Sequence, residues 1–127
     1  MDDIELAMAM EAPFHTYILA SAPYGTLYTG QTGDLPRRIW QHKRKIIDGF
    51  TAKYGVERLV WLQPFADRHE AFIRERQIKE WQRRWKIELI ESRNPRWEDL
   101  GGRLHFQDYF EEFDRDWKQD FGGRLSV

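Results

Sequence analysis

Residues 14–32 read FHTYILASAPYGTLYTGQT, and how they pair decides the fold. The runs "FHTYILAS" and "GTLYTGQT" are rich in β-branched and aromatic residues, and "APYG" between them is a turn signal, so the stretch predicts a β-hairpin. The pattern then changes. In "GDLPRRIWQHKRKIID" (33–48) Asp34 offers a helix N-cap, and Pro36 sits in the first turn, where its missing N–H does no harm. A helix is expected from about Leu35 to Ile47. "DGFTAKYG" (48–55) reads as a loop, and "VERLVWLQPF" (56–65) as a strand that Pro64 ends or places on an edge. With Asp67 as cap, a longer helix is expected from about Arg68 to Trp85. "KIELIES" (86–92) continues it or adds a turn, and "RNPRWEDLGG" (93–102) breaks it. The aromatic residues of "RLHFQDYFEEFDRDWKQDF" (103–121) recur at helical spacing, which predicts an acidic amphipathic helix. The order β-β-α-β-α-α leaves little room for parallel crossovers. It predicts an α+β fold: a small, mainly antiparallel three-stranded sheet flanked by helices, with a C-terminal helical extension.

A chain of 127 residues is long enough for one compact core. Residues 1–13 read as an acidic tail or short helix, 14–100 as the domain proper and 101–127 as the acidic extension. The absence of cysteine excludes disulfides, thiolate catalysis and cysteine-based zinc sites. No run approaches the roughly 18 to 20 apolar residues needed to span a bilayer. The opening "MDDIELAMAMEAP" also lacks the basic region of a secretory signal, so a cytoplasmic protein without a membrane partner is expected. The net charge of −1 hides an uneven distribution. Residues 14–97 hold 16 Lys and Arg against 9 Asp and Glu, a net of +7, while residues 1–13 and 98–127 each carry −4. A basic body suits a polyanion such as nucleic acid. A solvated surface with scattered charges gives the same count.

Helical wheels sharpen the question. With about 100° per residue, Ile39 and Ile46 fall within roughly 40° of Leu35, and Arg38 and His42 land on or beside that same apolar stripe. In the later helix Ala71, Ile78 and Trp85 form a stripe, widened by Phe72 and Trp81, and Glu75 falls inside it. Polar groups directed inward need a partner, a metal or a substrate. An acid that can hold a divalent cation, an arginine that can hold a phosphate and a histidine four residues away are parts of a phosphodiester-cleaving site. A buried Arg38–Glu75 salt bridge satisfies the same wheels. Tyr17 and Tyr28, on facing strands of the hairpin, place two phenols near the start of the first helix.

Taken together, "TYILAS", "GTLYTGQTGDLPRRIWQHK", "EAFIRERQIKEWQRRWK" and "IESRNPRWEDL" resemble the GIY-YIG nuclease superfamily. The likeness is to its small single-domain bacterial members, related to the nuclease domain of the excinuclease C subunit, and it covers about residues 14 to 100. Tyr17 matches the tyrosine of the first signature, with His15 and Thr16 in place of its glycine and isoleucine. Tyr28 and Gly30 match the second, with Thr29 in place of isoleucine. Arg38 matches the catalytic arginine, His42 the histidine of the following turn and Glu75 the metal-binding glutamate, while Asn94 is a candidate for an asparagine found later in the family.

The resemblance implies one-metal hydrolysis of a phosphodiester in DNA, with Glu75 holding Mg²⁺ or Mn²⁺ and Arg38 stabilising charge on phosphorus. Tyr17 would deprotonate water, while Tyr28 and His42 orient it or relay its proton. Lys43, Arg44, Lys45, Lys53, Lys79, Arg83, Arg84 and Lys86 are candidate phosphate contacts. No recognition helix is visible, so no sequence specificity is expected. Branched, damaged or foreign DNA, and RNA, all remain open as substrates. Repair is one of the open pathways, and the sequence is silent on oligomeric state. Two other readings fit the residues: a catalytically inactive nucleic-acid-binding module on the same fold, and a protein-interaction domain whose polar cluster is an ion-pair network.

Overall fold

The computed structural model describes residues 1–47 and 49–121. Phe14–Ala20 (β1) and Leu27–Thr32 (β2) form the expected antiparallel hairpin, with Tyr17 opposite Gly30 and Leu19 opposite Tyr28. Its turn places Tyr24, not a glycine, in the left-handed region at φ 59°. A bulky residue there needs support. The Tyr24 ring lies 4.9 Å from that of Trp97, and its hydroxyl donates to Glu91 at 2.5 Å. Arg58–Phe65 (β3) pairs antiparallel with the other side of β1, giving the order β2-β1-β3 and putting Pro64 on an edge strand.

Every residue of the central strand from His15 to Ala20 is buried. Alternation along it divides the molecule in two. Tyr17 and Leu19 face one layer, whereas Ile18 and Ala20 face the other. The first layer is built on Leu35–Lys43 (α2), whose Leu35 and Ile39 pack with Tyr17, Leu19, Leu59 and Leu62. Asp34 caps α2 by accepting from the Arg37 N–H, as its position predicts. The helix ends at Lys43 rather than near Ile47, because Lys45 turns left-handed at φ 58° and the Ile46 N–H reaches back to the Gln41 carbonyl. The stretch expected as a loop holds a short helix, Gly49–Tyr54 (α3).

Asp3–Ala9 (α1), Leu100–Arg103 (α6) and Gln107–Phe121 (α7) complete this layer, with Leu6, Leu100, Phe106, Phe110 and Phe113 in its core. The α7 helix covers the side of α2 turned away from the sheet. It buries Trp40, whose indole N–H donates to Asp114 at 2.8 Å.

The second layer consists of Arg68–Glu80 (α4) and Arg83–Arg93 (α5). Ile78 and Ile90 pack there with Ile18, Ala20, Val60, Trp61 and Trp97. Asp67 caps α4 by accepting from the His69 N–H. The single helix expected to Trp85 instead breaks at Trp81 and Gln82, both extended, with ψ of 150° and 147°. Arg83 fixes the new start by donating to the carbonyls of Tyr24 and Gly25 at 2.6 and 2.7 Å. As a result Trp85 leaves the Ala71–Ile78 stripe and is exposed, as is Phe72 on its shoulder. No described helix is long and apolar enough to cross a membrane.

Candidate active site

The Tyr17 side chain rises from the central strand and crosses β2 where β2 has no side chain of its own. A Cβ placed on Gly30 would lie 2.5 Å from the Tyr17 hydroxyl and 2.6 Å from Cζ, closer than real contacts allow. Glycine therefore opens the lane through which the phenol reaches α2. There the Tyr17 hydroxyl and His42 Nε2 share a hydrogen bond of 3.0 Å, and His42 Nδ1 shares one of 3.1 Å with the Thr51 hydroxyl of α3. A neutral imidazole donates at one nitrogen and accepts at the other, so Tyr17, His42 and Thr51 form a chain along which a proton can be handed. The Tyr28 ring completes the cluster, 6.4 Å from Tyr17 and 5.3 Å from His42 between centroids. Tyr17 and His42 are almost wholly buried, while Tyr28 is partly exposed. Thr51 had no signal in the sequence, because the stretch that carries it reads as loop.

Arg38 sits one turn before His42 and is half-buried rather than sealed on the apolar stripe. Among the described residues it makes no ion pair, so the Arg38–Glu75 bridge allowed by the wheels is not formed. Glu75 is buried as its wheel predicts, but on α4, across the sheet from the two phenols. The Thr16 hydroxyl donates to the Ala71 carbonyl at 2.7 Å, which seats α4 on the opposite face of β1 from Tyr17. The Glu75 carboxylate pairs with Lys79 at 2.6 Å. The structure thus brings Tyr17, Tyr28 and His42 together with Arg38 nearby on the same helix, and leaves Glu75 on the other face. Among the described residues no group of three His, Asp or Glu is placed to hold a metal. Asn94 is engaged elsewhere: its amide donates to the carbonyls of Val60 and Glu98 and accepts from the Glu98 N–H, which closes the end of α5.

The basic candidates divide in the same way. Lys43 pairs with Asp99 at 2.8 Å, and Arg44 with Asp114 through two bonds of 2.6 and 3.0 Å. These two tie the acidic C-terminal segment to α2, a partnership across more than fifty residues that no local pattern reveals. Lys79 pairs with Glu75, and Arg83 holds the hairpin turn. Lys45, Arg84 and Lys86 have no carboxylate partner among the described residues, and the Lys53 ammonium lies 5.4 Å from the centre of the Tyr54 ring. Burial, together with the neighbouring charges of Arg83 and Lys79, holds the Lys86 ammonium below its ordinary pKa.

A GIY-YIG catalytic domain model matches residues 13–88. The chain belongs to the GIY-YIG family. Membership places it in a nuclease superfamily, and α6 and α7 lie beyond the residues that match. Among proteins similar to it, a UPF0213 protein of Clostridium perfringens is 36% identical over 69 residues, covering 54% of this chain and 74% of that one. UPF0213 proteins of Staphylococcus aureus are 34% identical over 83 residues, covering 62% of this chain and 96% of theirs. The solution NMR structure of a UPF0213 protein from Bacillus halodurans is similar at 32% identity and a TM-score of 0.44, covering 68% of this chain and 92% of that one.

Proposed function

We propose that the protein is a metal-dependent endonuclease that hydrolyses phosphodiester bonds in DNA. The observation that carries this reading is the Tyr17–His42 hydrogen bond with Tyr28 against the same imidazole. A structural core has no need of two phenols and a histidine joined on the same helix as an arginine that pairs with no carboxylate among the described residues. Of the two phenols, Tyr28 is the one that solvent reaches, so it faces the attacking water, and Tyr17 positions the imidazole from behind. An ordinary phenol, with a pKa near 10, is a poor base at neutral pH. A cation beside the phenol would favour its ionised form, a part that Arg38 or the metal would take with substrate bound, and the His42 ring lies 5.3 Å away between centroids. Arg38 offers a planar, two-pronged donor to the non-bridging phosphate oxygens as negative charge grows on them.

A single carboxylate suits Mg²⁺ or Mn²⁺, which takes its remaining positions from water and substrate phosphate. Glu75 is the residue that would hold it, releasing Lys79 to the nucleic acid. Such an ion supplies charge neutralisation at the phosphate and the leaving 3′ oxygen. Because Glu75 and the phenols lie on opposite faces, the phosphodiester would bind across the β2 edge, where Gly30 keeps the strand thin. The exposed cations Lys45, Lys53 and Arg84 would contact flanking phosphates.

The test incubates the protein with supercoiled, branched and single-stranded DNA in Mg²⁺ or Mn²⁺, alongside chelator, Glu75→Ala and Tyr28→Phe. Nicking that needs the metal and is lost in both variants is the expected result. Cutting that survives chelator and Glu75→Ala overturns the assignment. One observation favours an inactive binding module instead: the Glu75 carboxylate is already neutralised by Lys79. Tight DNA binding by the wild type without cutting would select that reading.

A further inference from the structure

The residue that anchors His42 stands on a helix of only six residues, and the rest of that helix is unusual. Thr51 points inward and is buried, whereas Phe50 and Tyr54 point outward, 44% and 50% exposed. Four residues apart on the helix, the two rings share a face, with centroids 5.0 Å apart. Two large aromatics so exposed on a single short helix are a surface feature more than a core one. Their charge setting is basic. Residues 43–58 hold five Lys and Arg against two acids. Lys43 and Arg44 are neutralised by Asp99 and Asp114, but Lys45, just before α3, and Lys53, whose ammonium lies 5.4 Å from the centre of the Tyr54 ring, have no carboxylate partner among the described residues.

Resting on the endonuclease reading, we infer that Phe50 and Tyr54 form a stacking platform for an unpaired nucleobase next to the cleavage site. The preferred substrate is then nucleic acid with a single-stranded segment at the cut. Each base has an apolar π-face to lay on an aromatic ring, while the ammonium groups of Lys45 and Lys53, on and just before the same helix, would meet the phosphates that flank it. A fully paired duplex keeps its bases stacked inside and offers the platform nothing but its backbone. Because Thr51 of the same helix holds His42, a base seated on α3 fixes the adjoining phosphate relative to the imidazole. A protein partner is less well matched, since its docking would have to neutralise two lysines that no carboxylate among the described residues balances.

The experiment measures binding by fluorescence anisotropy in chelator, where no strand is cut. Its probes are a labelled single strand, a blunt duplex of the same length, and the same single strand carrying one abasic nucleotide at each position in turn. The double variant Phe50→Ala/Tyr54→Ala is expected to lose about tenfold to a hundredfold in affinity for the single strand and little for the duplex. Phe50→Tyr/Tyr54→Phe, which keeps both rings, is expected to retain affinity. In the wild type an abasic nucleotide at one position should reproduce the loss, with no further loss in the double variant. That arm stands even if the alanine variant folds poorly. Equal losses for duplex and single strand, or no loss, overturn the platform while leaving the nuclease reading intact. A shift in oligomeric state on removing the rings, with nucleic-acid affinity unchanged, would assign the face to a protein contact and also overturn it. Failure of the wild type to bind either form removes both readings.

Discussion

Replacing Gly30 by alanine tests the geometry on which the site depends. Its backbone is not left-handed, so an added methyl group meets no conformational obstacle; the obstacle is the Tyr17 phenol, whose hydroxyl, Cζ and Cε1 would lie 2.5, 2.6 and 3.1 Å away. The ring belongs to a core cluster and must shift as a body. Overpacking of this kind costs about 1–3 kcal/mol. Glycine to alanine in a strand returns roughly 0.5–1 kcal/mol by restricting the unfolded chain. The net loss is about 0.5–2 kcal/mol, which in a domain of this size lowers Tm by roughly 2–10 °C.

The decisive assay is a double-mutant cycle in thermal or urea unfolding. In a Tyr17→Leu background the lane is empty, and Gly30→Ala is expected to be neutral or slightly stabilising, a coupling of about 1–3 kcal/mol. The same cost with and without the Tyr17 ring would refute the argument that glycine is present to admit the phenol. If nicking is observed in the wild type, it should fall in Gly30→Ala along with the displaced hydrogen bond to His42.

Other outcomes follow from groups with shifted titration. Hydrogen bonds from Arg44, and to a lesser extent from Trp40, hold the Asp114 carboxyl below the usual carboxylate range. Their contribution is complete above about pH 4 and is lost as pH falls through the depressed folded-state value, so Asp114→Asn should cost about 1–2 kcal/mol at pH 7 and progressively less below pH 4. Equal costs at pH 7 and pH 3 in denaturant titrations would contradict this. Burial lowers the His15 pKa more than its hydrogen bond to the Ala9 carbonyl raises it. The unfolded chain then binds the extra proton first, so wild-type stability should decline as pH falls below about 6.5, and His15→Gln should flatten that slope. Parallel pH profiles of Tm for the two proteins would count against a neutral, buried imidazole. Lys79→Ala leaves the buried Glu75 carboxylate without its ammonium, so it should lower stability by about 1–3 kcal/mol in urea unfolding, recovered in part by added Mg²⁺ or Mn²⁺, and should alter the metal concentration needed for nicking.

What the sequence makes legible is chemistry that acts within a few residues. Asp34 and Pro36 announce α2, Asp67 announces α4, Pro64 points to an edge strand, and the β-rich runs of 14–32 with the turn signal between them point to the hairpin. What it hides depends on residues far apart. Nothing local in "EWQRRW" stops a helix, yet α5 must turn away so that Ile90 and Trp97 reach the Ile18 side of the sheet, and Arg83 holds it there from the hairpin. Six residues of α3 are too few to show a period, so Thr51 was invisible as the second partner of His42. Wheels found Glu75 and His42 buried, but a wheel has no knowledge of which side of a sheet its helix will take, and that is why the two were expected side by side.

The indole of Trp40 has one further consequence. It lies on the far side of α2, its N–H is held by Asp114 of α7 and its ring lies 5.7 Å from that of Phe113 and 6.2 Å from that of Trp117 on the same helix, which begins nineteen residues past the stretch that matches the family. Trimming the protein to the portion it shares with its shorter cousins would strip a greasy flank bare. Such a product should clump on expression, visible as high-mass species in sedimentation, unless Trp40 is exchanged for a polar residue at the same time.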